Sequence, residues 1–195
     1  MFKIGLIIFS AFCLLSISCN SPYLPKQNGY EKIIFPEKKY QLFNDQQSAY
    51  TFEYPVYAQI DRKINYFGDY AQTKGWLNIN FPNNNATIYV SYNDIKPNQL
   101  DALIKDAYTF ANNHNIKANI IEDSIFTTQN GVNGVFFHIG GNVATNYQFF
   151  LTDSVNHFFR GALYFDTTPN EDSLAPINAF LLKDLTHLVN TFRWK

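Results

Sequence analysis

Polar and apolar residues change their period along this chain, and the changes mark its elements. Between Tyr50 and Ile60, the aromatics Tyr50, Phe52 and Tyr54 alternate with Thr51 and Glu53. That two-residue period predicts a strand, interrupted at Pro55, which has no N–H to give to a ladder. Residues 76–81 and 86–92 predict a hairpin. Trp76, Asn78 and Asn80 alternate with Leu77, Ile79 and Phe81, and Pro82 with Asn83, Asn84 and Asn85 supplies the turn before Thr87-Ile88-Tyr89-Val90. From Asn98 to Asn113 the period lengthens: Leu100, Leu103, Ile104, Ala107, Phe110 and Ala111 fall on one helical face. Asn98 is the expected cap, with Pro97 before it and Asp101 three residues on.

Strands are then predicted at 118–127, 133–140, 145–152 and 157–166, separated by Gly- and Asn-rich turns. The last three are apolar on both sides. Val135, Phe137 and Ile139 oppose Phe136; Phe149 and Leu151 oppose Phe150; Phe159, Leu163 and Phe165 oppose Phe158, Ala162 and Tyr164. Antiparallel strands of this kind need cover on both faces. The helix at 98–113 supplies one cover. A C-terminal helix supplies the other, with Ser173 as expected cap, Pro176 in the first turn and a stripe of Ile177, Leu181, Leu185, Leu188 and Phe192. The pattern thus predicts an α+β fold, an αβα sandwich whose antiparallel sheet carries helices on both faces.

The N-terminus follows another logic. Met1-Phe2-Lys3 precedes an apolar run from Ile4 to Leu15, then Ser16-Ile17-Ser18-Cys19. One lysine, about a dozen apolar residues and small residues before a break match a secretory signal, and the run is too short for a span of roughly 20 residues. Cys19, followed by a polar, Pro-rich chain, stands where lipid attaches. The segment resembles the bacterial lipobox, with Ser16 where Leu is usual and Leu15 one position earlier. Cys13 is the weaker candidate, because apolar residues continue after it. A cleaved signal at 1–18, an extended tether at 19–48 partly packed on the domain, and a globular α+β domain at 49–195 are the expected divisions. Within the tether, Ile33, Ile34 and Phe35 are too apolar for a purely solvated linker.

Composition narrows the function. Hydrophobic residues are 46% and charged residues 16% of the chain, with 19 Phe and 13 Tyr, which marks a folded rather than a disordered chain. The net charge is −1, and loss of Lys3 with the signal makes it −2. No basic stripe is present to neutralise phosphates, so nucleic acid is not an expected partner. Both cysteines, Cys13 and Cys19, precede residue 20. The mature domain therefore has no internal disulfide, Cys-ligated metal or Cys nucleophile.

No catalytic pattern stands out. His114, His138, His157 and His187 include no pair three or four residues apart on one helix, so no local metal pair is predicted and no cofactor is expected. His114 falls at a helix end, where a cation suits the dipole. His138 and His157 are expected to face one another across strands near Arg160, as a polar cluster or a binding site. No Gly-x-Ser-x-Gly elbow occurs. Ser124, Ser154 and Ser173 each follow an Asp in predicted loops or caps. The acid pairs Glu122-Asp123 and Glu171-Asp172 are chain neighbours, with nothing to set them across a cleft. Gly140-Gly141-Asn142 has no following Lys and reads as a hairpin turn rather than a phosphate loop. Asp153-Ser154-Val155 and Asp172-Ser173-Leu174 resemble a short acceptor pattern for O-linked glycans in Bacteroidetes-type bacteria.

The tract Tyr147-Gln148-Phe149-Phe150-Leu151-Thr152-Asp153-Ser154, then His157-Phe158 and Arg160-Gly161-Ala162-Leu163-Tyr164-Phe165, resembles the gliding-motility lipoprotein GldD family of the Bacteroidetes. Pro169-Asn170, Asp172-Ser173, Leu188 to Trp194, Phe52-Glu53-Tyr54-Pro55 and Ala86-Thr87-Ile88 agree as well, from about Pro25 to the C-terminus. The tether Pro25-Lys26-Gln27-Asn28-Gly29-Tyr30 departs from that likeness, which has a second Pro and an Arg before the Gly. The resemblance implies a non-enzymatic cell-envelope lipoprotein required for gliding, an assembly or scaffolding component linked to the type IX secretion machinery. It also implies a membrane anchor through acyl chains (palmitate among them) on Cys19, facing the periplasm from the inner or outer membrane, with other gliding and secretion envelope proteins as partners. The order of elements is similar to the PsbP/Mog1-like fold. The alternative is a periplasmic module that grips a glycan or small ligand through Trp76, Tyr89 and Tyr92; a hydrolase ranks third.

Overall fold

A computed structural model describes residues 32–62 and 74–195, and the backbone of 65–66 and 69–70. The signal and Cys19, with the first part of the expected tether, lie outside the described residues. The chain divides into two compact units, Met1–Lys32 and Ile33–Lys195, and the description below concerns the second.

Twelve strands and two helices are described. A three-stranded sheet has the order β1 (Tyr40–Phe43), β2 (Tyr50–Pro55), β12 (Arg193–Trp194). A seven-stranded sheet runs β3 (Gln59–Asp61), β6 (Leu77–Phe81), β7 (Ala86–Asp94), β11 (His157–Phe165), β10 (Tyr147–Thr152), β9 (Asn133–Gly141), β8 (Ala118–Thr127). β4 (Asn65–Tyr66) and β5 (Asp69–Tyr70) pair with each other. All described pairs are antiparallel. Helix α1 is Leu100–Asn112, between β7 and β8, and α2 is Glu171–Thr191, between β11 and β12.

The large sheet carries a helix on each face, as the two-sided strands require. On one face Phe149, Leu151, Phe159 and Leu163 form a single core with Leu181 and Leu185 of α2. The small sheet closes the same core with Tyr50 and Phe52, both 0% exposed. On the other face Val135, Phe137, Phe150 and Phe158 pack with Ala107 and Ala111 of α1. The architecture is therefore an α+β sandwich built on an antiparallel sheet. Gly161 makes one close approach possible: a Cβ there would stand 2.5 Å from the Phe149 ring.

Several local outcomes differ from the sequence pattern. Pro55 does interrupt the first strand, but the two pieces, β2 and β3, enter different sheets. The Asn-rich turn after Phe81 forms as a 3-10 turn, with Asn85 in the left-handed region at φ 46°, a conformation Asn tolerates better than most residues. Asn98 does not cap α1. It lies at φ 61°, the N-cap is Gln99, and no side-chain cap bond forms. Phe110 leaves the expected stripe and is 49% exposed beneath the Arg160 guanidinium, while Tyr108 meets Phe137 edge-on at 4.9 Å. The cap of α2 is Asn170, whose side chain accepts from the Ser173 N–H. Asn170 is extended, as a cap must be, and Ser173 already belongs to the first turn. Pro176 lies inside the helix beyond that turn, on its exposed side, where its missing N–H takes one partner from the Asp172 carbonyl.

The N-terminal part of unit two is more deeply built in than an extended tether. Phe35 stacks on Phe180 at 4.3 Å, β1 pairs with β2 from Tyr40 to Phe43, and Phe43 is buried. Two-residue β12 had no periodicity to announce it. It forms because the end of α2 puts Phe192, 0% exposed, into the core and sends Arg193 and Trp194 along β2.

Candidate functional site at the 153–157 corner

The turn between β10 and β11 is organised by one carboxylate. Oδ1 of Asp153 accepts from the backbone N–H groups of Val155, Asn156 and His157 at 3.0, 2.8 and 2.9 Å. Burial pushes this carboxyl up, but the three N–H donors outweigh it and hold Asp153 below the usual carboxylate range. Ser154, at φ 65°, tops the turn and its N–H donates to Thr152 Oγ1 at 2.9 Å. The turn is tied to the end of β7 by the Ile95 N–H donating to the Asn156 carbonyl at 2.8 Å.

His157 emerges from this turn into a polar cluster. Its Nδ1 lies 2.6 Å from the Tyr92 hydroxyl, which also lies 2.6 Å from Asp94 Oδ1. The Tyr92 hydrogen bond holds Asp94 below its ordinary range, so this carboxylate only accepts and Tyr92 donates to it. Tyr92 has no second proton; His157 must therefore carry its own on Nδ1 and donate to the phenol oxygen. The other ring nitrogen, Nε2, lies 3.9 Å from Asp153 Oδ2. The His157 ring stacks on Trp194 at 5.1 Å, and Trp76 Nε1 donates to the Tyr92 carbonyl at 2.7 Å. The Trp194 indole N–H is buried and has no hydrogen-bond partner among the described residues. Next to the cluster is a surface pocket of about 390 Å³, bounded by Ile95, Lys96 and Asn98, the start of α1, and Ser154 to Asn156.

Burial, and after it the bond to Asp94, pushes the Tyr92 hydroxyl above its ordinary range, so it stays protonated and is no base. His157 spends Nδ1 on Tyr92, and no hydrogen bond joins it to Ser154 among the described residues. Lys96 and Asp101 give the pocket one charge of each sign.

The other sequence candidates are dispersed. His138 and His157 do not meet: His138 stacks on Tyr147 and lies 3.6 Å from Glu122, on the far side of the sheet order from the β7 end of His157. His114 sits half-buried near Tyr164. Burial, and then Arg160, pushes its imidazole below its ordinary value, so the neutral ring is favoured and not the helix-end cation predicted. His187 stacks on Tyr40 at 3.5 Å and bonds Glu53 at 2.7 Å. Trp76, Tyr89 and Tyr92 do not make one aromatic platform: Tyr92 is 3% exposed in the α2-side core, whereas Tyr89 is 50% exposed on the opposite face against Tyr164. Gly140 and Gly141 end β9, and the Gly141 N–H donates to Glu171 Oε1 at 2.9 Å. Ser154 is exposed, and Ser173 Oγ donates to the Asn170 carbonyl. Among the described residues no group of three or more His, Cys, Asp or Glu forms a metal cluster.

One cluster escaped the sequence reading. Asp184 of α2, 2% exposed, accepts from Lys38 Nζ at 2.7 Å, Tyr57 at 2.7 Å and Tyr40 at 3.1 Å. Burial raises both phenols, and Tyr40 is pushed up to about 12. Burial also pulls Lys38 down, against the opposing effect of Asp184, while its ammonium stands 3.2 Å over the Phe180 ring. The available signal was an acid lying between Leu181 and Leu185, inside an otherwise apolar stripe.

The structure defines an α+β sandwich domain with a polar corner at 153–157 and a buried carboxylate, Asp184, bonded by Lys38, Tyr40 and Tyr57. The chain belongs to the family described as gliding motility lipoprotein GldD, which it matches over residues 20–194. It is thus a gliding motility-related lipoprotein, a membrane-anchored protein of the cell envelope. No curated protein matches the chain. Among solved structures it is similar to the solution structure of cyanobacterial PsbP (CyanoP) from Synechocystis sp. PCC 6803, at 12% identity and a TM-score of 0.49 over 88% of this chain and 99% of that one. Among the described residues, no helix is long and apolar enough to cross a membrane.

Proposed function

We propose that this protein is a non-enzymatic assembly component of the gliding apparatus, linked to type IX secretion, and held on the membrane by acyl chains on Cys19 with its domain in the periplasm. Membership of the gliding lipoprotein family across residues 20–194 carries this reading. The corner agrees with it: the Tyr92 hydroxyl is bonded to Asp94 and to Nδ1 of His157. One acyl chain binds a membrane only marginally, and a diacylglyceryl group with an N-acyl chain supplies the further signals that stable anchoring needs. In this reading the corner is a docking surface for another envelope protein.

The test is genetic. A strain lacking the protein is expected to lose spreading and to retain type IX cargo, and the full-length chain is expected to restore both. A chain with Ser154→Arg, which fills the pocket mouth without touching the core, is expected to be present at normal levels and to fail in complementation. Normal spreading and cargo release in the deletion strain would overturn the assembly role, and full complementation by S154R would remove the corner from it.

A further inference from the structure

The two edges of the large sheet differ in how open they are. β3 has three residues, too few to template a long partner. β8 has ten, mostly exposed, with Ile125 at 81% and Ile120 at 44% exposure. The register identifies the backbone groups that β9 leaves unpaired among the described residues. The Ile139 N–H donates to the Asn146 carbonyl at 2.9 Å, so the odd residues of β9 turn to β10 and the even ones turn to β8. Gly134, Phe136 and His138 face Phe126, Ser124 and Glu122. The intervening residues Ile121, Asp123, Ile125 and Thr127 must then point their N–H and C=O groups outward. A register shift between Ala118 and Ile120 limits the regular run to 120–127. Beside this run, on the α2 side, an apolar groove of about 390 Å³ lies between Ser124, Phe126 and Phe136 on the sheet and Leu182, Thr186 and Val189 on the helix.

We propose that β8 accepts an added strand from a partner protein, an extended segment in which apolar residues alternate with lysine or arginine. The outward edge supplies four residues, and the groove on the α2 side gives apolar side chains somewhere to pack. Charge selects the occupant. β8 contains Glu122 and Asp123 and no basic residue, so a second copy would bring four carboxylates and no cation to the shared ladder. A strand whose apolar side chains lie in the groove presents its basic ones on the α1 side, where Asp123 stands. The site shares no residue with the 153–157 corner and does not depend on its role.

The probe is a ten-residue peptide alternating valine and lysine, with a valine–glutamate peptide as its counterpart, added to the full acylated chain in detergent. The lysine peptide is expected to bind saturably and to slow amide exchange at Ile121, Asp123, Ile125 and Thr127, and the glutamate peptide to do neither. Ile125→Pro deletes an outward N–H with no hydrogen-bond partner among the described residues, and is expected to weaken binding about tenfold with an unchanged melting temperature. Should I125P fail to fold, Asp123→Lys serves instead and is expected to reverse the preference toward the glutamate peptide. No saturable binding of the lysine peptide, equal binding of both peptides, protection confined to other strands, or a β8-mediated dimer of the chain itself would each overturn the proposal.

Discussion

At the residue scale, buried polar groups define what is most sensitive. Asp184 satisfies one ammonium and two phenols at once. Its removal takes the acceptor from two half-buried phenols and the counter-charge from Lys38, which keeps Tyr57 and the Phe180 carbonyl, and Asp184→Ala is expected to cost about 3 kcal/mol, read as a lower denaturant midpoint. The double variant Asp184→Leu with Lys38→Met is expected to recover much of that loss, because it removes both charges together. His114 gives a pH signature. Its folded-state value lies below the ordinary 6.5, so below pH 6.5 the unfolded chain takes up a proton that the folded chain resists, and stability falls as pH drops from 6.5 toward the folded value. His114→Gln is expected to flatten stability against pH in that window and to leave it unchanged above; an identical slope in both proteins would contradict the neutral-ring assignment. The sequence showed His157, Ser154 and Tyr92 as residues of interest but not their association, because the register that sets His157 opposite Asp94 is a property of the folded sheet. The same register keeps His138 away.

At the element scale, long periodic segments were legible and short ones were not. Strand β8 matches the span predicted at 118–127, and the two-faced strands correctly called for helices on both sides. The cap of α2 shifted by three residues because Asn170 can do what Ser173 does and sits where the chain is still extended. β1 and β12 were not legible: four- and two-residue strands have too little periodicity, and each is fixed by what it packs on. β12 has a measurable role. Trp194 covers His157, the Lys195 N–H donates to the Ala49 carbonyl, and its ammonium bonds the Asp45 carbonyl. Deleting residues 193–195 is expected to cost about 2 kcal/mol and to speed amide exchange along β2, without loss of the fold, since the α2 stripe remains. At Gly161, an added methyl meets the Phe149 ring, which is itself packed on Phe136 and Phe159; Gly161→Ala is expected to destabilise by about 1–3 kcal/mol.

At the scale of the whole molecule, the account joins a folded unit at residues 33–195 to an N-terminus whose only later cysteine is Cys19. In the proposed reading, location follows from acyl chains on Cys19, and the partners are envelope proteins within reach of that membrane. The direct measurement is the intact mass of the mature protein from the membrane fraction, beside that of Cys19→Ala. The account predicts a mass for residues 19–195 plus a diacylglyceryl group and an acyl chain, and a C19A chain that leaves the membrane pellet and no longer supports spreading. An unmodified mature chain, or a C19A chain that stays on the membrane and supports gliding as well as the native one, would contradict it.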